Sequence, residues 1–292
     1  MAIPKPDPKD WLIANSQELA VTDRQVLEML RDAYRNVNDI LASLPKGKSE
    51  IRRSQLEQSR ARLLAQQAEV FQRLGLIVEA RRAKAASRAA RLSAASDYAL
   101  LRLVGRGSVG QALYEGALQT SQAAIDAAMA RMRLSTTPLS QRVYRTGVWM
   151  GDRLGKLINA SLASGLNAQE FARRARDWFN PNTPGGVRYA ALRLARTEIN
   201  NAFHSMAAER FAAKPWITKV DWNLSRSHPK PDICNEYEKK GPYPKSRIPA
   251  RPHPQCMCYI TEQEINEDRF ISRFLAGDFD DYLDRELAKL PG

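Results

Sequence analysis

At 292 residues, with 43% hydrophobic and 26% charged side chains, the chain can fill one large core or two ordinary ones, which excludes a mostly disordered protein. Forty-five Lys and Arg stand against 32 Asp and Glu, a formal +13 that favours a polyanionic partner over an acidic substrate pocket. The start, MAIPKPDPKDW, is polar and proline-rich, so no secretory signal is expected. No run approaches the roughly 18 apolar residues of a membrane span. Synthesis in a reducing cytoplasm is the expectation, and three cysteines cannot form a complete intramolecular disulfide set.

The charge has an address. Residues 201–292 carry 14 basic and 14 acidic groups, so the whole excess lies in residues 1–200, and mostly in arginine. Guanidinium forks suit phosphate and carboxylate in two-point contacts, and solvated helix faces account for the same composition.

In chain order, Asp10 to Leu44 places Leu12, Leu19, Val26, Leu27, Leu30, Val37 and Leu41 at helical spacing, and Pro45-Lys46-Gly47 ends it. Glu50 to Val104 lacks proline. Leu56, Leu63, Val70 and Ile77 recur every seven residues beside Leu64, Phe71 and Val78, which predicts a second long helix packed in a hairpin or coiled-coil-like pair. Inside it, residues 80–91 read ARRAKAASRAAR. Arg81, Arg82, Lys84, Arg88 and Arg91 either lie on phosphates or a portal surface, or point to water above an alanine packing face. GRGSVG at 105–110 lacks the Gly-Lys-Ser/Thr of a phosphate loop, and Ser108 is the expected cap of a helix from Val109 to Leu134. Helices follow over Leu139–Ser164, from an Asn167 cap to Phe179, and over Val187–Ala213.

The character changes at Lys214-Pro215. Residues 214–260 hold half of the sixteen prolines, and strands are expected at Ile217–Leu224 and Met257–Thr261 with long loops between. Trp216 and Trp222 read as packing under the loops. Trp149 and Trp178 read as residues of apolar helix faces, and Trp11 as an anchor for a partner. Residues 262–290 return to helix and are acidic. The expected fold is therefore mainly α: an elongated helical N-terminal part, a small α+β Cys/His/Pro-rich module near the C-terminus, and a C-terminal acidic helix. The expected divisions are 1–134, 135–261 and 262–292.

Every Cys and every His lies between 204 and 258. Zinc takes four ligands from thiolate and imidazole, so Cys234, Cys256 and Cys258 with His253 or His228 form a sufficient set. Such a clip would supply folding energy to a loop-rich module. The alternatives are Cys256 and Cys258 as ordinary strand residues sharing a face, with the histidines bonding loop carbonyls. A nuclease or a thiol hydrolase on the same residues, with Asp232 beside the thiol, is a further alternative.

From about Leu139 to Ile260 the chain resembles the phage head morphogenesis family, the Mu F-like minor head proteins of tailed bacteriophages. The resemblance rests on an ordered series. It comprises a glycine turn near Gly165, Ala195-Arg196-Thr197-Glu198 on a helix, Trp222 on a strand, His228 in a polar loop, and Cys256-Met257-Cys258 after a Pro-rich run. Where many members show Asn-Cys-Arg-Cys, this chain reads Gln255-Cys256-Met257-Cys258, and Tyr237 stands where many carry a second cysteine. The resemblance implies a non-enzymatic minor capsid protein in the virion interior, made in the host cytoplasm. Its implied partners are the portal protein, phage DNA without sequence preference, and scaffold or major capsid protein; pairing of the helical first half with copies of itself is a separate expectation from the sequence. Arg196 or Glu198 is expected to bond the Pro-rich loop. An adaptor for acidic protein surfaces, without DNA contact, is the other non-enzymatic reading.

Overall fold

The computed structural model describes residues 3–44, 53–117, 121–132, 134, 138–163, 168–225 and 231–290. The Pro45-Lys46-Gly47 break, the Gly165 turn with Asn167, and His228 lie outside the described residues. The protein is mainly α. Its elements are α1 (Pro8–Ala42), α2 (Arg53–Leu103), α3 (Gly107–Gly116), α4 (Gln122–Arg131), α5 (Leu139–Ala163), α6 (Ala168–Phe179), α7 (Gly186–Ala213), β1 (Ile217–Asn223), α8 (Ile233–Lys240), β2 (Tyr243–Pro244), β3 (Tyr259–Glu264), α9 (Glu267–Leu275) and α10 (Asp280–Leu287).

Local chemistry sets the ends of these elements. The Asp7 carboxylate accepts from the N–H groups of Lys9 and Asp10, Asp10 returns a bond to the Asp7 N–H, and Pro8 opens α1 at a position that needs no donor. The single helix expected over 109–134 is two. Ser121, not Ser108, is the capping side chain, accepting from Ala124 N–H at the start of α4. Ser108 lies inside α3. Gly105 turns the chain at φ +74 between α2 and α3, and a Cβ on Gly110 would lie 2.8 Å from the Tyr98 Cα. The glycines of GRGSVG thus make a turn and a close helix contact. The acidic tail is likewise two helices, separated at Gly277 with φ +81, and its first residues belong to β3.

By contacts the chain forms two compact units. One is Met1–Leu19, Arg81–Thr136 and Thr197–Gly292; the other is Ala20–Ala80 and Thr137–Arg196. Their limits differ from the divisions near 134 and 261 read from composition, because α1, α2 and α7 each run through both.

Among the described residues, the regular elements of the second unit are all helices. Val26, Leu30, Val37 and Leu41 of α1 share a core with Leu63, Val70, Leu74 and Val78 of α2, and with Leu154 and Ile158 of α5. Each such side chain contributes roughly 1.5–3 kcal/mol by leaving water. Gly147 lets α5 approach α2, since a Cβ there would sit 3.2 Å from the Phe71 Cβ. Arg196 grips Asp23 with a two-point fork of 2.9 and 2.7 Å.

The first unit carries the sheet, in order β2-β1-β3, all antiparallel. Val220, Trp222 and Ile260 point from it into a core with Phe203, Met206 and Phe211 of α7. Ala85, Ala86, Ala89, Ala90 and Ala94 of α2 are buried there too, so the alanine face packs as expected. Trp11 is 2% exposed, its ring edge-on to Phe203 and Phe211 at 6.0 and 5.1 Å. It anchors its own core rather than a partner. Lys214 is fully buried, and its ammonium donates to Ser93 O, Asp97 and Glu262, each at 2.8 Å.

Candidate metal centre

Between β1 and β3, where long loops were expected, the chain inserts α8 and β2. Asp232 caps α8 in a reciprocal box. Its carboxylate accepts from Cys234 N–H at 2.7 Å, and the Asn235 side chain accepts from Asp232 N–H at 2.9 Å. The cap fixes Cys234 in the first helical turn, where it is completely buried. Residues 253–256 close a turn with a 3.4 Å bond from Cys256 N–H to His253 O, and Gln255 takes φ +59. Cys256 and Cys258 precede β3, which begins only at Tyr259, so they are loop residues and not strand residues. Both are buried.

This brings Cys234, His253 and Cys256 together, with one potential ligand atom from each within 4.8 Å of the others. Cys234 Sγ is 3.6 Å from Cys256 Sγ and 3.4 Å from His253 Nε2. A tetrahedral zinc with bonds near 2.3 Å to sulfur and 2.05 Å to nitrogen has edges of about 3.8 Å between sulfurs and about 3.6 Å from sulfur to nitrogen. The two edges through Cys234 Sγ match such an ion to within about 0.2 Å. The imidazole is also oriented for it: His253 Nδ1 is 3.0 Å from Pro254 O, so the proton belongs on Nδ1 and the Nε2 lone pair faces the sulfurs. Asp232 Oδ2 stands 3.2 Å from that same Nε2, an approach of anion to lone pair that a cation or a second proton must reconcile.

Cys258 interacts with the Cys256 and Cys234 thiols but stands outside the group whose ligand atoms all lie within 4.8 Å of one another. The bond from Cys258, aided by the Arg251 charge and opposed by burial, pulls the Cys256 thiol down to about 5. Burial, then the Cys256 charge, pushes Cys234 up to about 12. The bond to Cys256, then burial, pushes Cys258 up. Of the three thiols, the Cys256 proton is the most easily lost.

The same geometry disfavours a thiol relay. A nucleophile, base and carboxylate need the two ring nitrogens to face different partners, whereas Asp232 and Cys234 both approach Nε2. Cys234 is also buried, which disfavours its thiolate.

Several residues around the cluster were not singled out in the sequence. Arg251 is buried and donates from Nη1 to Cys256 O. His204 is buried, bonds Pro249 O through Nε2 at 2.9 Å and meets Trp222 edge-on at 5.6 Å. Burial, then the Arg251 charge, lowers its pKa to about 3. Trp222 also meets Tyr237 of α8 at 5.1 Å, so Trp222 on β1 and Trp216 just before it are both core residues.

The Ala-Arg-Thr-Glu motif divides its duties. Arg196 takes Asp23 of α1, and Glu198 faces buried Arg82 at 3.7 Å. Between them, Thr197 accepts the N–H of Gln255 at 3.2 Å, so the hydroxyl of the motif is what meets the Pro-rich loop.

The basic segment 81–91 is not an open cationic face. Arg81 pairs with Glu18 and is buried. Arg82 is fully buried and pairs with Asp126 at 2.6 Å. Arg88 pairs with Glu18 at 2.7 Å, and Arg91 donates to the Tyr114 hydroxyl and lies 4.9 Å over its ring. Of the five cations, Lys84 alone is exposed. An exposed face that combines aromatic and basic side chains lies on α5. Tyr144 is 69% and Trp149 51% exposed, Arg145, Arg153 and Lys156 share that face, and the Arg153 guanidinium sits 4.9 Å over the Trp149 ring. Trp149 therefore leaves the apolar face assigned to it, while Trp178 is partly buried and donates to Gln67.

Among the described residues, no helix is long and apolar enough to cross a membrane. No family model, curated protein or solved structure matches the chain.

Proposed function

We propose that the chain is a minor head protein of a tailed phage, and that zinc bound by Cys234, His253, Cys256 and Cys258 closes its C-terminal module. The observation that carries the metal half is the convergence of Cys234 and Cys256 with an oriented imidazole on one loop-rich segment that also holds Cys258. The centre is structural in this reading. Its sulfurs are buried under a capped helix and a turn, and metal binding would be folding energy for a segment with few apolar residues of its own. Elemental analysis of the purified protein tests it, with about one zinc per chain expected for a closed four-ligand site.

The capsid half rests on the resemblance over 139–260 and on the +13 charge. With Arg81 and Arg82 committed to ion pairs, DNA contact in this reading passes to the α5 face of Tyr144, Arg145, Trp149, Arg153 and Lys156. Filter binding across salt tests it. DNA should be retained near 50 mM salt and lost steeply above it, and a triple Ala variant at 145, 153 and 156 should lower the slope by about three. A second reading has one observation in its favour. Tyr, Trp and Arg side by side on α5 is the composition of protein hot spots, so an acidic surface on a portal ring is the alternative occupant. Retention of an acidic protein partner after nuclease treatment, with no DNA binding, would select it.

A further inference from the structure

We propose that the exposed stripe on α5 takes single-stranded DNA, with a base stacked on Trp149 and phosphates held by the cations around it. The inference rests on the DNA reading above and adds which form of DNA the surface takes. Arg145, Trp149 and Arg153 recur every four residues, and Lys156 follows three further on, so the four lie on one side of the helix. All four are exposed, and none of the three cations has a carboxylate partner among the described residues. The stripe thus differs from the Ala-Arg segment of α2, where Arg81, Arg82 and Arg88 are spent on carboxylates of the protein itself. Asp152, also exposed, stands beside the stripe and leaves it a net +2.

That charge suits any DNA, and the ring discriminates between its forms. At 1.5 Å of rise per residue the stripe covers about 16 Å of helix axis, enough for a few nucleotides of an extended strand. The Arg153 guanidinium lies 4.9 Å from the Trp149 ring centroid, and no other ring packs on that indole among the described residues. The half-exposed indole is therefore steadied by a cation and keeps ring surface for a flat partner. Duplex DNA hides its base faces in its own stack and presents phosphates and groove edges, which gives the indole little to meet. An unpaired base presents its face, and stacking on an aromatic side chain strengthens binding roughly 5- to 150-fold whatever the sequence.

The test is fluorescence anisotropy of the full chain with a labelled oligo(dT) of about 12 nucleotides and with a duplex of the same length, at about 50 mM salt. The single strand should bind about 10-fold more tightly. Trp149→Ala should weaken single-strand binding roughly 5- to 150-fold and leave duplex binding within about twofold, whereas Trp149→Phe, which keeps a ring, should retain most of it. Arg145→Ala should weaken both forms alike, because it removes a phosphate contact and no ring. These side chains are exposed, so the variants should melt with wild type. Equal affinity for the two forms, or an equal loss for both in Trp149→Ala, would overturn the stacking while the DNA reading stands. Retention of neither form would overturn both, and would leave the acidic protein surface as the occupant.

Discussion

Replacing Lys214 by Met tests whether one buried cation holds the first unit together. In the native fold its ammonium satisfies Ser93 O, Asp97 and Glu262 at 2.8 Å each, with both carboxylate side chains only 6% exposed. One cation cannot fully compensate two buried carboxylates. Burial, only partly offset by Lys214, accordingly raises the Asp97 pKa to about 6, while the two carboxylates overcome burial to hold Lys214 above its usual range. Met preserves the length of the side chain and removes the charge, so two anions lose their partner at once. Breaking a buried pair in this way costs about 3–5 kcal/mol, and urea denaturation at pH 7.5 should show a loss of that size. The loss should shrink toward pH 5. A carboxyl whose folded pKa is raised takes up its proton before the unfolded chain does as pH falls, so its penalty is absent below about 4, grows up to the folded value and is full above it. Asp97→Asn in the Lys214→Met background should recover part of the loss. A Lys214→Met variant within about 0.5 kcal/mol of wild type at pH 7.5 would refute the reasoning.

Other consequences are smaller. His204 is held neutral, so its stabilisation is complete above its ordinary 6.5 and is lost as pH falls through 6.5 toward about 3. His204→Gln, compared with wild type in chelator, should remove about 2 kcal/mol of the decline between pH 7 and 5. Gly110→Ala drives a Cβ to 2.8 Å from the Tyr98 backbone and should cost about 1–3 kcal/mol, read from the denaturation midpoint. Thr197→Val keeps the shape but deletes the bond to Gln255 N–H. It should cost about 1 kcal/mol and speed amide exchange at Gln255, visible by hydrogen-exchange mass spectrometry.

The long helices were legible because their signal is local: Val26, Leu30, Val37 and Leu41 repeat on one helix face, and that face is buried. The alanine run was legible as packing for the same reason. Its arginines were not, because their partners are remote. Glu18 lies 63 residues before Arg81, and no composition count reveals that the two meet. Helix α8 was hidden by the prolines around it and by its eight residues, too few to establish a period. Its one readable sign was Asp232 with Asn235 three residues on, a capping pair just ahead of Cys234's burial. The cysteine cluster was visible as residue types, since all three lie in one segment. Arg251 was not, because a single arginine in a loop carries no pattern, and its burial against the Cys256 carbonyl exists only once the loop is closed.

The account depends most on the metal centre, and elemental analysis of protein purified without added metal or chelator measures it directly. About one zinc per chain, lost together with thermal stability when chelator is added, is the predicted result. Less than a tenth of an equivalent of any transition metal, with melting unchanged by chelator, would contradict it.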